Sequence, residues 1–180
     1  MVEATTRDER VNGLIRIGEK ELTGENEAEV DAYFAPDFRF HGPDGRELDY
    51  QGLKDYFAAL RAAFDDLTIT RGIIVVEGDH VACQTTIVGT FVREFTHSPV
   101  GRLPPNGNRV VFELMNIFRY DTGRLAEEWI QTDNRSVLRQ LGAAPRVAMV
   151  ELATSTPHQL RHAVCELGAC LHVELAERFV

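Results

Sequence analysis

Residues 109–133, RVVFELMNIFRYDTGRLAEEWIQTD, carry the pattern that decides the fold. Two β-rich segments, 109–120 and 124–132, flank Asp121-Thr122-Gly123, which has the composition of a turn. The pattern predicts a β-hairpin whose second strand ends at Thr132, just before Asp133.

The segments upstream predict a second hairpin, preceded by helices. β-rich residues at 67–76 and 80–91 flank the turn Gly78-Asp79. Apolar side chains at helical spacing predict three helices before it, at 7–22, 27–34 and 50–64. Prolines and glycines predict a long loop over 93–107, and a short helix is expected over 134–141. Helices followed by antiparallel strands predict an α+β fold in which helices cover one face of a curved sheet.

The composition limits the classes of function. The chain has 180 residues and a net charge of −9, so nucleic acid and anionic membrane are poor partners. The three cysteines include no CxxC pair, which argues against a disulfide framework or a thiolate zinc site. The N-terminal residues do not read as a secretory signal, and no stretch is apolar enough to span a membrane. We expect a cytoplasmic protein whose partner is a small hydrophobic or aromatic ligand.

The residues after 144 differ in character from those before. We predict one domain over 1–144 and a linker with a C-terminal amphipathic helix over 145–180, because apolar residues recur there at helical spacing. His158 and His162 stand four residues apart, but no HExxH pattern accompanies them. A solvated helix face is the expected role of these histidines, and no metal is expected.

Asp133 is the first candidate for chemistry. Strand alternation puts Glu127, Trp129, Gln131 and Asp133 on one face of the returning strand. If helices enclose that face, desolvation would raise the pKa of Asp133 and suit it to proton transfer near neutral pH. The competing interpretation is that Asp133 only caps the following helix.

The other candidates also have a structural alternative. Trp129 and Gln131 would line the pocket, although an inward tryptophan is more often part of a core. Glu127 would accept a hydrogen bond there or lie at the open rim of the sheet. His41 would carry a proton into the pocket or only fix its loop.

GxSxG, GxxxxGK and GxGxxG motifs are missing, which favours acid–base chemistry without a cofactor.

The order and spacing of several short motifs resemble the SnoaL-like polyketide cyclases, also called ester cyclases. The resemblance covers roughly residues 8–142 and rests on FRFH at 38–41, VEGDHVA at 76–82, PPNG at 104–107, IFRY at 117–120 and EEW at 127–129. It implies a cone-shaped barrel of the nuclear-transport-factor-2 type, with a deep pocket between a strongly curved sheet and its helices. It also implies a homodimer, and an intramolecular aldol reaction without metal or organic cofactor. Asp133 matches the position of the family's general acid/base.

Two features depart from that family. Phe91 follows Gly-Thr where family members often have a pocket histidine, so we expect Phe91 at the pocket in its place. The loop before Asn106 is longer than usual and is expected to reshape the pocket mouth.

Three functions follow from these observations. The first is a cofactor-independent enzyme for a small apolar carbonyl compound, using polyketide-cyclase-like aldol or isomerisation chemistry, with Asp133 and His41 as catalytic residues. The second is a non-catalytic module on the same fold that binds a small molecule or forms a dimer. The third is water addition as in the epoxide hydrolases of this fold, for which Arg119 with Asp133 is only a partial match.

Overall fold

The computed structural model describes residues 6–143. The predicted linker and helix of 145–180, with His158 and His162, lie outside the described residues, and the division at residue 144 stays a prediction. The described part contains four α-helices, and none of them is long and apolar enough to cross a membrane. They are α1 (Arg7–Thr23), α2 (Glu27–Tyr33), α3 (Tyr50–Ala63) and α4 (Asn134–Gln140).

Six strands form one sheet in the order β2-β1-β8-β7-β4-β3. Their bounds are β1 (Phe34–His41), β2 (Glu47–Asp49), β3 (Phe64–Glu77), β4 (His80–Phe91), β7 (Arg109–Asp121) and β8 (Arg124–Thr132). β1 and β8 are parallel, and the other neighbours are antiparallel. Both predicted hairpins, β3–β4 and β7–β8, are therefore confirmed.

The segment predicted as a loop contains a small hairpin. Phe95–Ser98 (β5) pairs with Gly101–Leu103 (β6) in a separate two-stranded sheet. The hydroxyl of Ser98 donates to the Gly101 carbonyl at 2.5 Å and closes the turn. Phe95 is buried against the ring of Phe64, with ring centroids 5.6 Å apart. This apolar anchor outweighs the loop tendency of the surrounding prolines.

α1 begins and ends at local sequence signals. Thr6 and Glu9 form a capping box at its start, in which the Thr6 hydroxyl accepts from the Glu9 amide and the Glu9 carboxylate accepts from the Thr6 amide. Gly24 ends the helix with a φ of 78°, a conformation that favours glycine. Leu14 and Ile17 are buried, so this helix packs its apolar face against the sheet.

A β-bulge in β8 decides which of its residues face the helices. Tyr120 pairs with Leu125, but Arg119 pairs with Glu127, so Ala126 is an extra residue on β8. An extra residue reverses the alternation after it. Leu125 is therefore followed on the inner face by Glu128, and the predicted alternation from Leu125 through Glu127 is wrong.

Candidate functional site

A cavity of about 300 Å³ lies between the inner face of the sheet and helices α1 and α3. Most of its lining is apolar, which suits the body of a small hydrophobic molecule. The apolar lining includes Leu14 and Ile17 of α1, Phe57 and Leu60 of α3, Phe112 and Phe118 of β7, and Ile130 of β8.

One wall of the cavity carries a chain of polar side chains contributed by four neighbouring strands. Asn116, which is only 3% exposed, donates from Nδ2 to Glu128 Oε1 at 2.8 Å. Thr85 donates its hydroxyl proton to Asn116 Oδ1 at 2.6 Å, and Arg71 Nη1 donates to Thr85. The strand register brings these side chains together, because Arg71 pairs with Thr85 and Asn116 with Ile130. Each side chain thus fixes the next, as a functional site requires.

Glu128 is the carboxyl group of this chain. Burial raises its pKa to about 7, while the nearby charge of Arg71 and the hydrogen bond from Asn116 hold the pKa down. A carboxyl group that titrates near neutrality can both take and return a proton. Glu128 therefore has the raised pKa that the sequence pattern predicted for Asp133.

Arg71 provides a positive charge that acts on Glu128 and has donor capacity left. Its guanidinium carbon lies 5.3 Å from the ring centroid of Phe118, and its buried Nε has no hydrogen-bond partner. Gly18 of α1 makes room for it, because a Cβ at that position would come within 2.8 Å of Arg71 Nη2. A side chain at this helix position would therefore displace the guanidinium from its present place.

Glu21 faces the same cavity from α1. Its Oε1 is buried without a hydrogen-bond partner. Burial and the negative charge of Glu128 raise its pKa to about 8, against the opposing effect of Arg71 and Arg61. The cavity thus holds two carboxyl groups from opposite walls, and the charge of Arg71 acts on both.

Asp133 does not line the cavity, although its neighbours Thr132 and Asn134 do. Its side chain is exposed, and its Oδ1 accepts from the Ser136 amide at 3.0 Å as the N-cap of α4. The structure therefore shows the capping role that the sequence left open. A catalytic role for Asp133 stays a prediction.

Four other predicted site residues come together on the outer face of the sheet, away from the cavity. His41 stacks on Trp129, with ring centroids 5.1 Å apart. Glu127 Oε2 accepts from Arg119 Nε at 2.7 Å and Glu127 Oε1 lies 3.4 Å from His41 Nε2. The bond from Arg119 holds the pKa of Glu127 below its usual value, so this carboxyl group is ionised at neutral pH. The bulge at Ala126 puts Glu127 and Trp129 on the outer face of the sheet, whereas the sequence predicted them on the face that the helices cover.

The two remaining predicted pocket residues are also outside the cavity lining. Gln131 is exposed and pairs with Met115 on the outer face. Phe91 is fully buried and stacks on Phe64, with ring centroids 5.1 Å apart, so it belongs to the core.

The sequence carries a signal for two of the cavity's polar residues, Asn116 and Glu21. Asn116 interrupts the inward apolar positions of β7, where it stands between Leu114 and Phe118. Glu21 falls on the apolar stripe of α1, four residues after Ile17. A polar residue inside an apolar period is unusual and indicates a partner or a ligand.

Comparisons with known proteins agree with this architecture. The family model for SnoaL-like polyketide cyclases matches residues 18–141 and confirms the resemblance drawn from the motifs. No curated protein matches the chain.

Solved structures share the fold. AclR of Streptomyces galilaeus, a proposed hydroxylase, has 22% identity, covers 94% of this chain and 98% of its own, and gives a TM-score of 0.64. IdmH of Streptomyces antibioticus, a proposed polyketide cyclase, has 28% identity, coverages of 75% and 97%, and a TM-score of 0.58. A Catenulispora acidiphila protein with a ketosteroid isomerase-like fold has 17% identity, coverages of 71% and 91%, and a TM-score of 0.54. The predicted α+β fold of the nuclear-transport-factor-2 type is confirmed.

Proposed function

Because the chain belongs to the SnoaL-like polyketide cyclase family, we propose that it is a cofactor-independent acid–base enzyme for a small, largely apolar carbonyl compound, with Glu128 as the base. The observation that carries this proposal is the place of Glu128 inside a mostly apolar cavity, hydrogen-bonded to a buried asparagine. The reaction class is that of an aldol cyclisation or an isomerisation.

The chemistry requires only a base held against a carbon acid. A proton on carbon between two carbonyl groups is already acidic, and the carbanion is delocalised onto oxygen. Glu128 would take that proton, and Arg71, with an unused Nε–H, would stabilise the negative oxygen that forms. Electrostatic stabilisation of this kind is strongest in a cavity that excludes water.

A synthetic probe tests this proposal without the natural substrate. A nitrobenzisoxazole is a small apolar carbon acid whose ring opens when a base removes its C–H proton, and the product is a coloured nitrophenolate. We expect saturable turnover by the wild-type protein. Ile130→Trp, which would fill the cavity beside Glu128, should reduce turnover to the level of free carboxylate in buffer.

The matched control introduces the same side chain elsewhere. Gln51 is exposed on α3, and Gln51→Trp should retain wild-type turnover. If the wild-type protein binds the probe in this cavity without opening it, the non-catalytic binding module is the better description.

We also propose that the protein forms a homodimer through the outer face of its sheet. Val75, Ala82, Ile117 and Trp129 follow one another across four strands in register. Val75 and Ile117 are 56% and 47% exposed, which is high for large apolar side chains. Because this row runs across the sheet's broad outer face, a second copy could cover it with the same row.

A charge placed in this row tests the dimer. Ile117→Lys should convert the dimer to a monomer, measured by sedimentation at micromolar concentration, because an interface cannot bury an unpaired ammonium group cheaply. Gln51→Lys, at an exposed position of α3, should leave the mass of the sedimenting species unchanged. A wild-type protein that sediments as a monomer at these concentrations would contradict the proposal.

A further inference from the structure

We propose that Glu21 is the second proton-transfer residue of the cavity: Glu128 removes a proton from carbon, and Glu21 donates its carboxyl proton to the substrate oxygen on which the negative charge ends. The inference rests on the proposed function, because both residues act in the same cavity. It adds a residue on the helical wall to a site that otherwise belongs to the sheet.

The position of Glu21 is the first argument. It occupies the apolar face of α1, in the stripe that contains Leu14 and Ile17, and it lines the cavity with them. A buried carboxyl oxygen normally has a hydrogen-bond partner, yet Oε1 of Glu21 has none. A polar group of the ligand is the partner that this arrangement fits.

The charges around Glu21 are the second argument. Arg71 of β3, Arg61 of α3, Glu128 of β8 and Tyr50 of α3 are the charged and titratable groups that interact with it. Arg61 Nη1 donates to the backbone carbonyl of Glu21 at 2.6 Å rather than to its carboxylate. Arg71 makes no ion pair with any described residue.

Glu21 and Glu128 line the same cavity, and two carboxylates held this way repel each other, so one of them retains a proton. Glu128 accepts a hydrogen bond from Asn116, which favours its ionised form, whereas Oε1 of Glu21 has no donor. Burial and the charge of Glu128 raise the pKa of Glu21, so Glu21 is the group that keeps the proton. At neutral pH Glu21 is therefore the acid, and Glu128 is the group that more readily becomes the base. The two carboxyl groups thus differ in protonation before the substrate binds, Glu21 as the acid and Glu128 as the base.

With these roles, every proton and electron pair of the aldol step is accounted for. Glu128 takes the proton from carbon, and the C–H electron pair forms the new C–C bond through the enolate. The π pair of the accepting carbonyl moves to its oxygen, which takes the proton of Glu21. The enzyme is left with neutral Glu128 and ionised Glu21, and proton exchange through water restores the starting state.

A pair of probes that differ in leaving group tests this assignment. Ring opening of a nitrobenzisoxazole releases a weakly basic phenolate, which needs little help from an acid. The unsubstituted benzisoxazole releases a more basic oxygen, which gains more from proton donation. Glu21→Gln keeps the shape and a hydrogen-bond donor but removes the transferable proton.

We expect Glu21→Gln to lower kcat for the unsubstituted probe by about tenfold to a hundredfold, and for the nitro probe by less than about threefold. Glu19→Gln is the control, because Glu19 lies on the same helix and is exposed; neither rate should change. Infrared spectra at neutral pH should show a protonated carboxyl band in the wild type that Glu21→Gln lacks.

If Glu21→Gln lowers kcat equally for both probes, Glu21 has only a structural role. If kcat is unchanged for both probes, Glu21 has no role in proton transfer. Either result overturns the inference. If Glu128→Gln is inactive while Glu21→Gln shows no dependence on the leaving group, the inference fails and the proposed function stands. If Glu128→Gln is fully active, the proposed function fails, and this inference fails with it.

Discussion

Glu128→Gln is expected to lower the turnover of the nitrobenzisoxazole by about a hundredfold or more, since removal of a positioned general base costs roughly that factor. The amide is nearly the same size as the carboxylate but cannot take a proton. The hydrogen bond with Asn116 can persist after reorientation of one amide, so the cavity should keep its shape. The measurement is kcat at neutral pH, with the melting temperature recorded to confirm folding.

Two further variants separate Glu128 from the other acidic residues. Glu113→Gln changes an exposed carboxylate on β7 and should leave kcat unchanged. Asp133→Asn removes the predicted general base of the sequence analysis, and its side chain caps α4 outside the cavity. We expect Asp133→Asn to keep most of the turnover and nearly all of the stability, because Asn Oδ1 can accept the same hydrogen bond from the Ser136 amide. If Asp133→Asn removes turnover and Glu128→Gln does not, Asp133 is the base.

The fold could be predicted from the sequence because each element carries its own signal. The turns Gly78-Asp79 and Asp121-Thr122-Gly123 separate strands that the structure places as β3–β4 and β7–β8. The alternation of the strands and the helical period of α3 are local properties, and they agree with the global arrangement. The β5–β6 hairpin was missed because prolines and glycines surround it, whereas the burial of Phe95 that fixes it is a tertiary contact.

The face of β8 could not be predicted from alternation alone. A single extra residue, Ala126, reverses the alternation of every residue that follows. Two consecutive apolar residues, Leu125 and Ala126, are both buried, and such a pair in an alternating strand is a signal for a bulge. Without the strand register, the same pair is equally compatible with the end of a turn.

The hydrogen bonds among the cavity's polar side chains depend even more on the strand register. Arg71, Thr85, Asn116 and Glu128 lie on four different strands, far apart in sequence, and only the pairing of those strands brings them into contact. Each alone is an inward polar residue with several possible explanations. Together they form a connected network, which is a property of the tertiary structure.

Arg71→Met is expected to produce the second large effect, a shift of the pH dependence. The positive charge of Arg71 lowers the pKa of both Glu128 and Glu21. Without it, both carboxyl groups hold their protons to higher pH, so less of Glu128 is ionised at neutrality. We expect the acidic limb of kcat for the nitrobenzisoxazole to move up by about one pH unit or more, and kcat at neutral pH to fall about tenfold.

The recovery of activity at higher pH distinguishes this electrostatic role from a loss of structure. Methionine replaces the contact of the guanidinium with the Phe118 ring by a sulfur–aromatic contact but leaves Thr85 without its donor. Stability should therefore fall modestly while the shape of the cavity is retained. Arg39→Met, at an exposed position of β1, should leave the profile unchanged. A low rate for Arg71→Met with an unmoved acidic limb would show that Arg71 acts only on the negative oxygen that forms and not on the ionisation of Glu128.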